Sequence, residues 1–465
     1  MNDRKRCVKE MAQPIKVAMM NQELKIKLLM TLLLAAMTVI ANGCGITSSS
    51  TAKETVAAPP ATATAATTEA TESAIRFLED RVRRDPDDFI AYNKLAAYYL
   101  QRQRETGSVN YLTLATKAAH ASLTAMPSEQ NVGGLAALAT AEFAAHEFVA
   151  ARDHAAQLIA LERKKSYPYE MFGDALSELG DYDQATTAYA KMVEIGGRSV
   201  SIETRLARAD LLRGKADSAV ERLTFALALA SAQPSPARET VAWIRWQLGE
   251  IAFVMGDYTK AEQHYRDALT TFPDYYRALG GLGRALAAKG DLPGAIASLE
   301  RAIQVIPDPT FVAALGDLYK LAGRDQEAAA QYALVEQIGK LSVANGLLYN
   351  RQMALFYADH DMKPDDAYTQ ATREYADRRD IYGADAVAWT SLKVGKITEA
   401  QAAVKEALRL GTRDARLLYH AGMVALAAND QQTARDYLTR ALALSPQFDL
   451  LQAAKAKQAL QALGD

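Results

Sequence analysis

Small and apolar residues return at a fixed interval along this chain. Leu248, Gly249, Gly256, Tyr258, Ala261, Tyr265, Ala268, Leu269 and Pro273 are answered thirty-four residues later by Leu282, Gly283, Gly290, Leu292, Ala295, Leu299, Ala302, Ile303 and Pro307. Self-similarity at such a period marks a repeat architecture, in which each unit buries its apolar side against its neighbours. A length of 465 residues therefore predicts one long solenoid as readily as two or three separate domains. Hydrophobic residues make up 49% of the chain and aromatics only 8%, so the apolar content is mainly alanine and leucine. That composition suits closely packed helices better than strands, and the expected fold class is all-α.

The pattern resembles the tetratricopeptide repeat, a helix-turn-helix unit with a Leu-Gly pair, a later Ala followed four residues on by an aromatic or aliphatic knob, and a closing Pro. The resemblance implies a superhelical solenoid. Small residues at Gly173, Ala207, Gly249, Gly283, Gly316 and Gly422 would let the second helix approach the first, with Ala185, Ala219, Ala261, Ala295 and Ala434 facing them. Gly180, Gly214, Gly256, Gly290, Gly323 and Gly395 would end the first helices in a left-handed turn. Tyr189, Leu223, Tyr265, Leu299, Tyr332 and Leu438 would fill the gap toward the next unit, and Pro273, Pro307 and Pro446 would stop the second helices.

Laid end to end, about ten units start near residues 89, 132, 166, 200, 242, 276, 309, 347, 381 and 415. An insert around Gln101–Asn110 stretches the first, and Ser231–Pro236 extends the fourth. The eighth departs most from the pattern, with Asp361 where glycine is usual. The solenoid is expected over residues 73–448, beginning with the second helix of a truncated unit and followed by a capping helix at 449–465.

Ahead of the repeats, Lys25 and Lys27 precede an apolar run from Leu28 to Ala41, which has the flank and length of a signal-peptide core. The run ends in Ile40-Ala41-Asn42-Gly43-Cys44, which resembles the lipobox of bacterial lipoproteins. The resemblance implies cleavage after residue 43 and lipidation of Cys44, although Ala41 and Asn42 stand where the family usually has a branched aliphatic and a small residue. An uncleaved anchor from Leu28 to Ile46 is the alternative, and either arrangement tethers the body to a membrane. Met11, Met19 and Met20 offer shorter starts. Gly45 is not the aspartate that retains such lipoproteins in the inner membrane, so the periplasmic face of the outer membrane is favoured. Residues 44–72 are nearly all Thr, Ala, Ser and Pro and are expected to be a flexible linker.

In the family resembled here, the first helices line a concave face, with positions 2, 5, 9 and 12 of each unit pointing inward. By that register the fifth unit presents Trp243, Trp246, Glu250 and Phe253, the sixth Arg277 and Arg284, and the ninth Trp389. All three tryptophans of the chain fall on such positions. Trp, Tyr and Arg carry much of the energy at interfaces, so these seven residues are the candidate partner-binding groove. Packing of Trp243 and Trp246 between repeats is the competing expectation.

Charge and chemistry narrow the function. Residues 1–44 hold seven Lys/Arg against three Asp/Glu, leaving 46 basic and 52 acidic residues in the remainder, so no basic face invites nucleic acid. Cys7 and Cys44 both precede the repeats, which leaves the folded part without disulfides or thiolate sites. His146-Glu147 followed by His154 lacks the zinc-protease spacing, and Gly280-Gly281-Leu282-Gly283 is not followed by the Lys-Ser/Thr of a phosphate loop. Catalytic, cofactor and metal sites are therefore not expected. The function expected is a noncatalytic scaffold of the bacterial envelope that holds a partner protein or peptide in its groove. The alternative is a glycan- or peptidoglycan-binding accessory subunit; homo-oligomerisation is left open.

Overall fold

Alanine and leucine at helical spacing, punctuated by single glycines and short polar turns, make every regular element a helix. The chain is seen in a computed structural model that describes residues 62–344 and 350–464. Among the described residues there are 22 α-helices and no strand. Residues 59–465 form one compact unit. The apolar run, Cys44 and the linker as far as residue 61 lie outside the described residues, among which no helix is long and apolar enough to cross a membrane.

After α1 (Thr62–Arg84) the helices pair as ten units. Units 1 to 3 are α2 (Phe89–Thr106) with α3 (Val109–Ala125), α4 (Val132–Ala144) with α5 (Phe148–Leu161), and α6 (Tyr167–Leu179) with α7 (Tyr182–Gly196). Units 4 to 6 are α8 (Val200–Leu212) with α9 (Ala216–Ser231), α10 (Arg238–Val254) with α11 (Tyr258–Thr271), and α12 (Tyr276–Ala288) with α13 (Leu292–Val305). Units 7 and 8 are α14 (Pro309–Leu321) with α15 (Asp325–Ala344), and α16 (Asn350–Asp359) with α17 (Pro364–Asp377). Units 9 and 10 are α18 (Ile381–Lys393) with α19 (Ile397–Ala407), and α20 (Ala415–Ala427) with α21 (Gln431–Leu444), before a last helix α22 (Gln452–Ala462).

The starts of the units agree with the sequence period to within a residue, except that α10 begins at Arg238, four residues early; the start expected near residue 347 lies outside the described residues. The insert of unit 1 is a lengthened helix, whereas that of unit 4 is a connection between α9 and α10. Helix α1 starts at Thr62, inside the stretch whose composition suggests a linker. Its Glu72 accepts hydrogen bonds from Arg102 Nε at 2.7 Å and Tyr111 Oη at 3.1 Å, contacts that a composition count does not see.

The turns between paired helices are left-handed, as at Gly180 (φ 83°) and Gly214 (φ 71°). Where glycine is missing, His146, Asp361 and Asn429 take the same conformation in units 2, 8 and 10 (φ 64°, 54° and 61°). The small residues of the first helices do permit close packing, but their main partner is the knob and not the alanine. A Cβ on Gly249 would lie 2.5 Å from the Tyr265 ring, one on Gly316 2.6 Å from Tyr332, and one on Gly422 2.8 Å from Leu438. The alanines are the fully buried floor beneath: Ala219, Ala261, Ala295 and Ala434 are all 0% exposed.

The units coil, and after six of them the chain meets itself. The turn after α6 lies against the approach to α18: Ile381 N donates to Tyr182 Oη at 3.0 Å, and Arg409 reaches the Gly180 carbonyl at 2.9 Å. One unit further on, Thr412 Oγ1 donates to the Leu212 carbonyl, and a Cβ on Gly214 would stand 2.5 Å from the Gly411 carbonyl oxygen. A unit later, Tyr258 Oη accepts from Gln447 N at 2.7 Å and pairs with Ser445 Oγ at 2.9 Å. Successive turns of the coil thus share a seam, and the concave face becomes the wall of a lumen.

Candidate functional site

Inward positions from several units converge on one cavity of about 290 Å³ in this lumen. Its walls include Phe253 from unit 5, Arg284 and Ala287 from unit 6, Thr310, Ala313 and Asp317 from unit 7, Leu355 from unit 8 and Arg416 from unit 10. All eight fall on position 2, 5, 9 or 12, whereas nine further wall residues, among them Ala288, Gln352, Phe356 and His360, do not. The segment Gln447–Gln452, which enters from the carboxyl end, completes the wall.

A recurring polar bracket lines the same face. Tyr265, passing over Gly249, donates to Glu250 Oε1 at 2.7 Å, and the same oxygen receives Arg284 of the next unit at 2.5 Å. Tyr189 passes over Gly173 to Asp174 Oδ1 at 2.8 Å, and Asp174 Oδ2 takes Arg205 Nε at 2.8 Å. Tyr332 passes over Gly316 to Asp317 Oδ1 at 2.7 Å, which also meets His360 Nε2 at 2.8 Å. Each knob tyrosine is thereby tied to a carboxylate beside the glycine, and each carboxylate to a cation one unit on. Burial and the neighbouring carboxylate push the Tyr265 hydroxyl well above its usual range, keeping it a donor. Burial opposes the charge on His360, but Asp317 and the Phe356 carbonyl outweigh it and raise its pKa.

These brackets sort the seven groove candidates. Glu250 and Arg284 satisfy each other and Tyr265, which makes them structural before they are available to a partner. Phe253 is 5% exposed, covered in the cluster that also holds Leu450. Trp389 is a correction: it is 2% exposed, stacks on His420 with centroids 4.3 Å apart and donates Nε1 to Asp359 at 2.9 Å. Its inward position points into the packed carboxyl-terminal units, where no open lumen remains. Trp243, Trp246 and Arg277 stay half-exposed. The inner edges of both tryptophans pack between units 5 and 6, and the Arg277 guanidinium lies 5.3 Å from the Trp246 ring and 5.1 Å from that of Tyr276. The expectation that these tryptophans pack between repeats is therefore partly realised.

Residues 167–195, 198–274, 247–310 and 386–447 match family models described as tetratricopeptide repeat. Those segments are tetratricopeptide repeats. No curated protein sequence matches it. Among solved structures it is similar to yeast Tom70, at 14% identity over 85% of this chain and 93% of that one, TM-score 0.36. It is also similar to MamA, at 19% identity over 36% and 94%, TM-score 0.29, and to pilF of Pseudomonas aeruginosa, at 16% over 66% and 98%, TM-score 0.30.

Tetratricopeptide repeats generally mediate protein–protein interactions, and the tetratricopeptide glycines here account for motifs that might suggest other chemistry. Gly280 to Gly283 are all buried within α12, where a Cβ on Gly281 would meet Tyr265 at 2.5 Å, so they serve helix packing and not phosphate. Asp88 caps α2 by accepting from Ala91 N at 2.9 Å, and Asp365 and Asp366 begin α17, as acidic pairs ahead of helices should. His146 sits in a turn and stacks on Phe148, while His154 meets Glu142 at 2.7 Å. The brackets themselves escaped sequence reading. Their signal was present as an acid following the Leu-Gly type of position and a tyrosine fifteen residues later, at Asp174/Tyr189, Glu250/Tyr265 and Asp317/Tyr332.

Proposed function

We propose that this protein is a membrane-tethered, noncatalytic scaffold of the bacterial envelope that grips a partner protein through the lumenal face of its tetratricopeptide coil. The observation that carries the reading is the cluster of Trp243, Trp246 and Arg277. These are half-exposed residues of the interface-forming types, and Arg277 rests on aromatic faces instead of being bracketed by a carboxylate as Arg284 is. A lumen wall offers a peptide contacts from several units at once, which suits an extended segment of another protein. The tether is supported by the basic-flanked apolar run and by Cys44, and lipidation there would place the scaffold on the periplasmic face of the outer membrane.

Photo-crosslinking in intact cells from residue 243, with the captured protein identified, tests the groove. Capture of one envelope protein that is lost on combining Trp246→Ala with Arg277→Ala supports it; unchanged capture by the double variant removes the groove assignment. Membrane fractionation of Cys44→Ser tests the anchor, which fails if the distribution is unaltered.

A further inference from the structure

The lumenal face of units 5 to 8, together with the first helix of unit 10, already holds a peptide, and the peptide belongs to this chain. Residues 445–451, between α21 and α22, are irregular and run along the inward positions of those units. Three consecutive side chains make distinct contacts. Phe448 packs 5.4 Å from the Tyr419 ring. Asp449 pairs with Arg416 at 3.0 Å and also faces Arg284. Leu450 packs on the cluster containing Phe253. The backbone is held at its start by Tyr258, and Gln452 Nε2 closes it by donating to the Asp359 carbonyl at 2.9 Å.

The fit is incomplete. Phe448, Asp449, Leu450 and Leu451 are only half-buried, and the 290 Å³ cavity lies directly beside them, with Leu450 and Leu451 in its wall. The rest of that wall is largely apolar: Ala287, Ala288, Leu292, Ala313, Ala314 and Leu355. Its charged side chains have partners: Arg284 pairs with Glu250, Asp317 with His360 and Arg416 with Asp449, while Asp359 accepts from Trp389 Nε1. Of these, only the pair of Arg416 with Asp449 uses a residue of the inserted segment.

We propose that this face is a receptor for a protein segment with the order aromatic, acidic, bulky apolar, and that residues 448–450 are its resident stand-in, displaced when the partner arrives. The acidic residue of the partner takes over Arg416, the aromatic takes over Tyr419, and a side chain larger than leucine at the third place fills the cavity that Leu450 leaves empty. This deepens the scaffold reading and rests on it, while naming a different part of the lumen from the Trp243 cluster. A tethered segment competes at about millimolar effective concentration, so a free peptide with micromolar affinity for the emptied face binds the intact chain about a thousandfold more weakly.

The test uses a fluorescent peptide spanning residues 445–453 and a second carrying L450W, titrated by anisotropy into the full chain and into a full-chain variant with Phe448→Ala and Leu450→Ala. That variant empties the anchors while leaving Ala453 and Ala456, the buried face of α22, in place. The expected result is binding to the variant at least tenfold tighter than to the intact chain, a further gain for the L450W peptide, and a tenfold loss for a peptide with Asp449→Ala. Equal affinity for both proteins, or no binding to a variant whose circular dichroism melt is cooperative, overturns the proposal. Should the double variant not fold, hydrogen exchange on the intact chain decides: the L450W peptide at millimolar concentration should deprotect residues 445–452, and unchanged protection overturns the proposal. If the peptides fail while crosslinking from residue 243 still captures a partner, this inference falls and the scaffold reading stands.

Discussion

Arg378 donates to the carboxylate of Glu178, a residue 200 positions earlier, and the other oxygen of that carboxylate takes Arg208 from the adjoining unit. Glu178 is thus the point where one turn of the coil is fastened both to its neighbour along the chain and to the turn that passes over it. Burial alone would raise its pKa, but Arg208 and Arg378 outweigh burial and hold it below the usual glutamate range.

Glu178→Gln should lower stability by about 2–3 kcal/mol, because two guanidinium groups lose their charged acceptor in a largely buried place. With a depressed folded pKa, the stabilisation is complete above the ordinary glutamate pKa and is lost as pH falls through the folded value. Urea unfolding between pH 3 and 7 should therefore show a steeper acid loss in the wild type than in Glu178→Gln. Parallel curves would remove the charge from this account.

The seam can be weighed by comparing two glycines with the same backbone. Gly214 (φ 71°) has the Gly411 carbonyl where a Cβ would go, whereas Gly323 (φ 73°) has nothing within 4 Å. Gly323→Ala should cost about 1–2 kcal/mol for the left-handed backbone alone. Gly214→Ala should cost about 1–3 kcal/mol more, with faster hydrogen exchange around residues 409–414. Equal costs would mean that the turns do not touch there.

His360 gives the opposite pH dependence. Its Nδ1 faces the Phe356 carbonyl at 2.7 Å and its Nε2 faces Asp317 at 2.8 Å, so both nitrogens are placed to donate and the ring is held protonated. With a raised folded pKa, the stabilisation is complete below the ordinary histidine value near 6.5 and disappears as pH rises through the folded value. Melting temperatures from pH 5.5 to 9 should fall in the wild type and stay nearly level in His360→Gln.

Tyr265→Phe should destabilise by about 1–2 kcal/mol, since Glu250 loses a buried hydroxyl while the ring stays over Gly249. Tyr189→Phe and Tyr332→Phe should behave alike. Denaturant midpoints of the three single variants check the bracket, and a neutral result at all three would make the hydroxyls incidental.

The three tryptophans should separate. Trp389→Ala should cost about 3–5 kcal/mol, as expected for a buried ring that also leaves Asp359 without its donor. Trp243→Ala and Trp246→Ala should each cost less than Trp389→Ala, under about 3 kcal/mol, because both rings are only partly buried. Thermal melts of the single variants distinguish the groups.

Local chemistry made much of this legible. A glycine such as Gly214 announces a left-handed turn, and the recurrence of Gly249 and Tyr265 as Gly283 and Leu299 announces a helix pair with its knob, because each depends on residues within one unit. Arg284, Asp317 and Arg416, on inward positions of that register, line one cavity together with residues outside it such as Gln352, Phe356 and His360. The register could not tell that Trp389 is enclosed by Asp359 and His420 of the adjoining units, or that Phe253 is covered by Leu450 from the carboxyl end.

The sequence by itself determined the helices, their pairing, the turn at each unit and the face each first helix presents, all of which follow from contacts spanning at most one period. Only the tertiary structure decided which turns meet across 200 residues and what fills the lumen. The rotation between neighbouring units is small and is spread over many contacts, so no single residue states it; summed over six units, it brings Glu178 to Arg378 and the segment of Leu450 to Phe253.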